Sequence, residues 1–443
     1  MKFEFLHRDF KVMPYWWEAY KPNADDMVDV PKKARVAIVG GGYAGLSCAM
    51  ELADNGVDCV VLEARELGYG ASTRSGGGVS AGLNIGRSLS GRRMNMHSDV
   101  MAGLIASGVD SFNLIEKLIE REKIDCVWEK NGRFVGAWSL QVYEAQAKRV
   151  EVYNAKGNFG TYMIPRDRVR EEVATDYYYG GMVVERAAKL HPALYFKGML
   201  DAVQRRGVPV CAMAPATKIE QRNNGWIVKT PRGDVEASEV VIATNGYTGG
   251  VTPQLQKRMV PIASHIIATE ELPPDLAKSL LPKGRSSSTS RRVSNYYRIS
   301  PDGKRMTFGG RSRFTPVTPD ISAPILYRQM TELFPQMKGV KITHAWTGNV
   351  GFTFDALAHT GKMEGLHYAL GCNGSGIALM TYLGHQVARR IAGVPYTCGF
   401  ELEDFPTMPL YGGNPAWILP FVGAYFRHLD MKERRESQKI SPI

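Results

Sequence analysis

The chain contains no apolar segment long enough to cross a lipid bilayer. A transmembrane helix needs about 20 consecutive apolar residues, whereas the apolar run AWILPFVGAYF near the C-terminus is much shorter and contains a proline. The N-terminal sequence MKFEFLHRDFK carries charges of both signs and lacks the apolar core of a secretion signal. We therefore expect a cytoplasmic protein without a membrane span.

Cysteine is also scarce, and this excludes a disulfide framework and the common zinc motifs. The six cysteines are scattered along 443 residues, and no two of them form a C-x-x-C pair. Cys48 and Cys59 lie in apolar segments, where cysteine usually packs as a small buried residue. Reduced thiols fit a cytoplasmic location, and we predict no metal site.

A concentrated basic stripe is missing as well, although the formal net charge is +11. The basic residues occur in dispersed pairs, such as Arg205-Arg206 and Arg291-Arg292, without the interleaved aromatic residues typical of nucleic-acid binding. We therefore expect no nucleic-acid partner. The positive field would instead attract an anionic substrate or the diphosphate of a dinucleotide.

The most informative segment that is present is RVAIVGGGYAGLSCAMELADNGVDCVVLEARE, residues 35–66. An apolar strand pattern precedes Gly40-x-Gly42-x-x-Gly45, a helical pattern follows, and a second apolar strand pattern ends in Glu63. This order predicts a βαβ unit with the dinucleotide-binding fingerprint. The glycines allow a tight turn, and they let a pyrophosphate approach the positive N-terminus of the helix.

The acid at the end of this unit narrows the choice of dinucleotide. The Glu63 carboxylate can accept hydrogen bonds from both ribose hydroxyls, but its charge would repel a 2′-phosphate. The fingerprint therefore favours NAD or FAD over NADP.

Two later features favour FAD over NAD. From residue 208 the pattern VPVCAM predicts a strand, and ATKIEQ, GWIVKT and DVEASEVVIATNG then predict a β-meander, where a nicotinamide dehydrogenase normally has further βαβ units. A second strand, glycine turn and helix follow in LHYALGCNGSGIALMTYLGHQVARRIAG, where the helix opens at Gly374-Ser375-Gly376. A helix N-terminus stabilises the negative charge of a reduced flavin by roughly 0.3–2 kcal/mol. We therefore predict one FAD held between two separate helix N-termini.

Further motifs are distributed along nearly the whole chain. They are the early Tyr15-Trp16-Trp17 segment and LGYGASTRSGGG (67–78), KLHPALYFKGML (189–200), VVIATNGY (240–247), NYYRISPDGKRMTFGGR (295–311), WTGNVGFTFDALAHTG (346–361) and LGCNGSGIALMTYLG (370–384). With these motifs the chain resembles the FAD-dependent D-amino acid oxidase, glycine oxidase and sarcosine oxidase superfamily. The resemblance is greatest to its bacterial γ-glutamylputrescine oxidase-type amine oxidases, to which the Tyr15-Trp16-Trp17 segment is also similar.

The resemblance implies an α/β fold with a Rossmann-like FAD-binding domain and an inserted α+β substrate domain built on an antiparallel sheet. Residues 1–34 would form an N-terminal arm and residues 401–443 a C-terminal tail. The FAD-binding domain would comprise residues 35–95, 182–250 and 341–400, and the substrate domain residues 96–181 and 251–340. Helical patterns cover 97–122 and 141–150, and strand patterns are frequent between 259 and 313.

The resemblance also implies the residues that contact FAD, which we expect to be bound without a covalent link. Superfamily members with covalent flavin use a His in the glycine loop or a Cys late in the chain, but 68–78 has no His and 349–361 has no Cys. The implied contacts are Gly40, Gly42, Gly45, Glu63, Arg65, Ser72, Arg74, Thr217, Asn245, Gly246, Gly374, Ser375, Gly376 and Ile377.

One departure from the superfamily pattern bears on the substrate. Members that oxidise α-amino acids have a segment like G-L-R-P-x-T, whose Arg can pair with the substrate carboxylate. In this chain the matching position is Val350. Arg298, which shares one strand face with Tyr296, is the candidate replacement cation. The candidate catalytic residues are Tyr296, Arg298, Asn349, Val350 and His359.

These residues predict an oxidase of a primary or secondary amine on a longer chain, with or without a distal acidic group. The resemblance implies hydride transfer to the flavin, hydrolysis of the imine to an aldehyde or ketone, and reduction of O2 to H2O2. Some relatives place a Lys near the flavin to promote oxygen reduction, and Thr307 falls there, so a dehydrogenase with another acceptor stays open. A tRNA-modifying amine oxidase and a non-catalytic flavin-binding protein are two further functions that the same motifs leave open. The sequence also leaves the oligomeric state open.

Overall fold

The computed structural model describes residues 4–24, 27–81, 98–223, 225–413 and 417–442. These residues form nineteen β-strands and nine α-helices, numbered in chain order. The strands are β1 (Leu6–Lys11), β2 (Lys33–Val39), β3 (Cys59–Leu62), β4 (Gly78–Ser80), β5 (Arg133–Gly136), β6 (Thr161–Ile164), β7 (Gly181–Val184), β8 (Ala187–Lys189), β9 (Val210–Cys211), β10 (Lys218–Arg222), β11 (Gly225–Lys229), β12 (Val235–Ile242), β13 (Val260–Thr269), β14 (Ser286–Thr289), β15 (Asn295–Ile299), β16 (Met306–Gly310), β17 (Ile342–Phe352), β18 (His359–Met363) and β19 (Leu366–Leu370). The helices are α1 (Tyr43–Asp54), α2 (Ser98–Glu122), α3 (Leu140–Gly157), α4 (Pro192–Arg205), α5 (Pro253–Gln256), α6 (Pro274–Leu280), α7 (Pro319–Leu333), α8 (Gly376–Ala392) and α9 (Leu419–Ile440).

The first sheet has a parallel centre, in which β2 lies between β3 and β12 and β9 extends the β3 side. The start of β12 pairs with β11 of the predicted meander, and its end pairs in parallel with β19. The central strands are apolar because both of their faces are covered. Helix α1 follows β2 and helix α8 follows β19, so both helices begin at the carboxyl edge of the same sheet.

The two helices pack directly against each other through a glycine. A Cβ atom at Gly384 of α8 would collide with the backbone of Ala44 in α1. Only a residue without a side chain permits this close approach. The contact holds the N-terminal half of α1 against α8.

The second sheet has nine strands in the order β1-β17-β13-β16-β15-β14-β5-β7-β6. One face is packed by α7 and an apolar core that contains Tyr297 and Phe308. Side chains alternate along a strand, so Tyr296 and Arg298 point to the opposite face, where they line a cavity. The predicted division of β15 into two faces is confirmed.

The structure corrects several predicted boundaries. Strands β7 and β17, predicted within the FAD-binding segments, belong to the nine-stranded sheet, and β1 of the N-terminal arm pairs with β17. Helix α3 runs beyond the predicted 141–150, and the predicted C-terminal tail contains the long helix α9. The predicted boundary between residues 95 and 96, and residue 97 of the predicted helix, lie outside the described residues. Among the helices that are described, none is long and apolar enough to span a membrane.

Candidate functional site

A single cavity of about 1240 Å³ runs from the N-termini of α1 and α8 to the open face of the nine-stranded sheet. We call its two parts the helix end and the sheet end. The helix end is lined by the turns at 40–44 and 372–377 together with the loop at 68–78, and the sheet end by residues of β5, β14, β15, β16 and β17. Both predicted glycine turns therefore line one cavity.

The turn before α1 depends on two glycines that cannot carry a side chain. Gly40 has φ of +111° and lies against the carbonyl of Ala243, and a Cβ at Gly45 would collide with the carbonyl oxygen of Gly40. The first turn of α1 therefore packs directly onto the strand end, and Gly40 to Ala44 line the cavity. This leaves backbone N–H groups to meet an anionic ligand.

Glu63 lies beside this turn, where the fingerprint places it. Its Oε2 accepts a hydrogen bond from Gly41 N at 2.8 Å, and its Oε1 accepts one from Arg65 N at 3.1 Å. Burial raises the pKa of Glu63, and these backbone donors oppose that rise because they favour the charged form. The carboxylate is thus held rigidly at the cavity wall, in position to bind ribose hydroxyls.

The loop at 68–78 closes over the helix end. Ser72 Oγ accepts a hydrogen bond from Tyr43 N at 3.2 Å, and Ser72 O accepts one from Tyr43 Oη at 2.6 Å. The Arg74 guanidinium lies 4.6 Å from the ring centres of both Trp17 and Tyr69 and donates to Tyr69 O at 2.7 Å. Burial lowers the pKa of Arg74, and its charge stays at the cavity wall.

Asn245 fixes the turn before α8. Its Oδ1 accepts hydrogen bonds from Gly371 N at 3.1 Å and Cys372 N at 3.3 Å. Gly246 packs against the carbonyl of Asn349, where a Cβ would come within 2.9 Å of the oxygen. A Cβ at Gly374, with φ of +93°, would meet no atom within 4 Å. Gly374, just before the N-terminus of α8, therefore has open space beside it and lines the cavity.

Three predicted FAD contacts lie beside the cavity rather than in its wall. Thr217 is exposed, and both its N–H and its hydroxyl donate to Lys229 O, while its neighbour Ala216 lines the cavity. Ser375 is the residue before α8, and Gly246 packs against the carbonyl of Asn349; neither lines the cavity. The other predicted contacts, including Gly376 and Ile377, line the cavity, apart from Gly45, whose role is to allow the close turn.

The described residues fit a flavin dinucleotide. Two helix N-termini, one buried carboxylate and a glycine-walled channel are the donor and acceptor set that such a ligand needs at its diphosphate, ribose and ring. Ser75 Oγ is buried at the cavity wall without a hydrogen-bond partner. Such an unpartnered polar atom is costly unless a ligand satisfies it.

Tyr296 and Arg298 lie together at the sheet end. Tyr296 Oη is 2.9 Å from Ser264 Oγ, and burial raises the pKa of Tyr296 to about 12, so the hydroxyl stays neutral. Arg298 is only 2% exposed, and its Nη1 donates to Leu190 O at 2.7 Å and Gly77 O at 3.3 Å. Its Nη2 has no hydrogen-bond partner, and burial lowers its pKa to about 10, so it remains charged at neutral pH.

Two further arginines at the sheet end were missed by the sequence analysis. The first is Arg133 on β5, which pairs with Ser286 of β14. Strands β14 and β15 are antiparallel and pair Ser287 with Tyr297, so the next position pairs Ser286 with Arg298. Arg133 and Arg298 are therefore two strands apart, roughly 10 Å at about 4.8 Å per strand. No local sequence pattern indicates that Arg133 belongs to the cavity, because the β14 residues beside it are distant in sequence.

Arg311 completes the group beyond the end of β16. It stacks 4.5 Å from the ring centre of Phe352, and burial lowers its pKa to about 10. Strand alternation from Thr307 through Gly309 to Arg311 was the available signal for it. Among the described residues, no carboxylate forms an ion pair with Arg133, Arg298 or Arg311.

The cavity wall is strongly positive as a whole. In the part of the chain that is described, Glu63 is the one acidic residue of the wall, and neither lysine nor histidine lines it. Arg292 is neutralised by Asp430 and Glu433. The eight arginines of the wall are Arg65, Arg74, Arg133, Arg149, Arg291, Arg292, Arg298 and Arg311.

The remaining candidate catalytic residues separate into two groups. Asn349 and Val350 line the cavity, so the position that the resemblance matches to a carboxylate-binding arginine presents an apolar side chain there. His359 is buried away from the cavity, with Nε2 2.8 Å from Asp355 Oδ2 and its ring stacked 4.0 Å from Phe405. We therefore remove His359 from the candidate catalytic set, because its position suits a structural role.

Comparison with known proteins shows the family to which this chain is similar. Residues 35–390 match the family model described as DAO, FAD dependent oxidoreductase. The chain is 31% identical to gamma-glutamylputrescine oxidoreductase of Escherichia coli, over 90% of this chain and 92% of that protein. It is 30% identical to the probable oxidoreductase OrdL of Haemophilus influenzae, over 86% of this chain and 88% of that protein.

Solved structures show the same fold at lower sequence identity. Glycine oxidase from Geobacillus kaustophilus superposes with a TM-score of 0.70 at 19% identity, covering 86% of this chain and 99% of that one. L-proline dehydrogenase from P. horikoshii also gives a TM-score of 0.70 at 19% identity, covering 83% of this chain and 96% of that one.

Proposed function

We propose that this chain, which belongs to the DAO family of FAD-dependent oxidoreductases, oxidises an amine whose carbon chain carries an acidic group at a distance from the nitrogen. Membership of the family makes the protein an FAD-dependent oxidoreductase of amines or amino acids. The substrate is the part that its own residues must decide.

The observation that carries this proposal is the unpartnered charge of Arg298. A guanidinium that is 2% exposed, with a free Nη2 and no paired carboxylate among the described residues, is costly to bury alone. A substrate carboxylate would satisfy both its charge and its donor. Val350 offers no such partner, so the acid binds at Arg298 rather than at the position the amino-acid oxidases use.

The extent of the sheet end indicates a long substrate. Three neighbouring strands, β15, β14 and β5, carry Arg298, Ser286 and Arg133 side by side. The Nη2 of Arg133 donates to Ser288 Oγ at 2.9 Å. The substrate named for the Escherichia coli relative, gamma-glutamylputrescine, has its glutamyl carboxylate many bonds from the terminal amine of its putrescine part. That chemistry fits a cavity with cations spread along one wall.

The positive wall also prepares the amine for reaction. Cations near a substrate ammonium disfavour its charged form and lower its pKa, and the neutral amine is the form from which hydride leaves. Tyr296, kept neutral by its raised pKa, can hydrogen bond to the substrate without competing for its proton. When bound, FAD supplies the hydride acceptor. Water then hydrolyses the imine to an aldehyde or ketone and releases ammonia or an amine.

We expect O2 to accept the electrons and to form H2O2. A dehydrogenase is the second candidate, because Thr307 lines the cavity at the position where some relatives have an oxygen-activating lysine. Peroxide formation during turnover in air decides between them, with a dye acceptor as the comparison.

We also propose that the protein is cytoplasmic and that it binds FAD without a covalent link. The Sγ of Cys372 lies 3.2 Å from Asn245 Nδ2 and 3.7 Å from Gly351 O, so the thiol is engaged by the protein. Acid precipitation should then release all the flavin into the supernatant. Flavin retained in the pellet would contradict this.

The decisive experiment is an anaerobic titration with matched amines. One member of each pair carries a terminal carboxylate and the other has a carboxamide of the same length. We expect flavin bleaching at lower concentrations of the acid, by about 10-fold or more for one charge-assisted pair. Equal bleaching by both members would contradict the role of Arg298. Bleaching by RNA alone would favour a tRNA-modifying enzyme, and no bleaching by any amine would favour a flavin-binding protein without amine oxidase activity.

A further inference from the structure

Three tryptophan indoles hold three consecutive residues of the loop at the helix end. Trp17 Nε1 donates to Thr73 Oγ1, Trp346 Nε1 donates to Arg74 O, and Trp16 Nε1 donates to Ser75 O, each at 2.8 Å. We call these three tryptophans the indole clamp. Two of its members come from the short 3-10 turn Tyr15–Glu18 of the N-terminal arm, and the third comes from β17.

The clamp holds the loop from behind. Arg74, Ser75 and Gly76 line the cavity, whereas the tryptophans of the clamp do not. A trans peptide directs its N–H opposite to its C=O. Because Trp346 and Trp16 draw the carbonyls of Arg74 and Ser75 to the rear, the N–H groups of Ser75 and Gly76 are turned the other way.

The clamp is itself fixed by packing. Trp16 is fully buried, and its ring meets that of Trp346 nearly edge-on at 6.2 Å between ring centres. Trp17 covers the guanidinium of Arg74 at 4.6 Å. The N-terminal arm therefore contacts three features at once: the loop at 68–78, Trp346 of the nine-stranded sheet and the guanidinium of Arg74.

We propose that the turn Tyr15–Glu18 is part of the flavin site, and that the indole clamp positions residues 73–75 so that the N–H groups of Ser75 and Gly76 meet bound FAD. These residues are positioning residues, since they act through the loop. The proposal is independent of which amine is oxidised. Pre-positioned donors bind more tightly because their ordering precedes ligand binding.

The test uses Trp16→Phe and Trp346→Phe, which keep an aromatic ring and remove the donor. We expect each to raise the Kd of FAD about 5-fold, the size of one lost hydrogen bond. The flavin reduction potential should also become more negative, because looser N–H donors stabilise the charge of the reduced ring less well. Both quantities are measured on purified protein without any amine substrate.

The matched control is Trp138→Phe. Trp138 is a buried indole that donates to Asp430 O at 2.8 Å, a carbonyl of α9 rather than of the flavin loop. Trp138→Phe should lower the midpoint of thermal unfolding of the apoprotein, as the clamp variants do. It should leave the Kd of FAD and the flavin reduction potential unchanged. The half-buried Trp17→Phe gives the same readouts if Trp16→Phe does not fold.

The outcome that would overturn the proposal is equally specific. The folded clamp variants could bind FAD with unchanged Kd and reduction potential and lose only thermal stability, as Trp138→Phe does. In that case the N-terminal arm stabilises the fold and is not part of the flavin site. A change in FAD affinity with the same amine preference supports the clamp whether or not the proposed substrate is correct.

Discussion

The helix end of the cavity is lined largely by the backbone of glycine-rich turns, whereas the sheet end is lined by side chains from several strands. The helix end is made by the turns at 40–44 and 372–377 and by the loop at 68–78, each within one short segment. The sheet end assembles Arg133 of β5, Arg298 of β15 and Arg311, which follows β16. The comparison teaches that the cofactor site is locally encoded, while the substrate site depends on which strands become neighbours.

The largest effect is expected from filling the first glycine turn. Gly45→Ala places a Cβ against the carbonyl of Gly40, and this overpacking costs about 1–3 kcal/mol. We expect protein purified without flavin colour, whose FAD affinity is too weak to measure by fluorescence quenching. Gly250→Ala, at a position with no atom within 4 Å of the new Cβ, is the control and should bind FAD normally. A yellow Gly45→Ala protein would break the claim that the helix end depends on backbone approach.

The sheet end should respond differently, in substrate use rather than in flavin content. Arg298→Met retains much of the side-chain volume but removes the charge that we assign to the substrate acid. We expect kcat/KM for the carboxylate-bearing amine to fall about 10–100-fold, as for one charge-assisted hydrogen bond. The Kd of FAD should stay within about twofold.

Arg170→Met is the control for losing one positive charge, because Arg170 pairs with Asp176 on the surface. It should leave kcat/KM unchanged. An equal loss of activity with the carboxamide analogue in Arg298→Met would show that the guanidinium supports the fold and not the acid.

A gain of function at Val350 would sharpen the same contrast. Val350→Arg introduces a cation at the position that amino-acid oxidases of the superfamily use. We expect about a 10-fold gain in kcat/KM for small α-amino acids, measured by peroxide or dye reduction. Val350→Met, similar in apolar character, should give no gain. Unchanged kinetics across a panel of amino acids would remove the missing-anchor argument.

The smallest effect is expected at Thr217, which resemblance placed among the FAD contacts. Its N–H and hydroxyl both serve Lys229 O, and its side chain is exposed. Thr217→Ala should therefore leave the Kd of FAD within about twofold, since surface substitutions change free energies little. A larger loss would show that FAD reaches beyond Ala216.

The contrast between the two ends also explains what each line of reasoning could find. The sequence by itself determined the βαβ unit, the acid at Glu63, the second glycine turn and the two faces of β15, because each follows from periodicity or turn chemistry within a few residues. Only the tertiary structure decided that Arg133 stands near Arg298, that His359 lies outside the cavity, and that two tryptophans of the N-terminal arm donate hydrogen bonds to the loop at 68–78. Those relations join residues far apart in the chain, and they arise from strand order and packing, which no local pattern encodes.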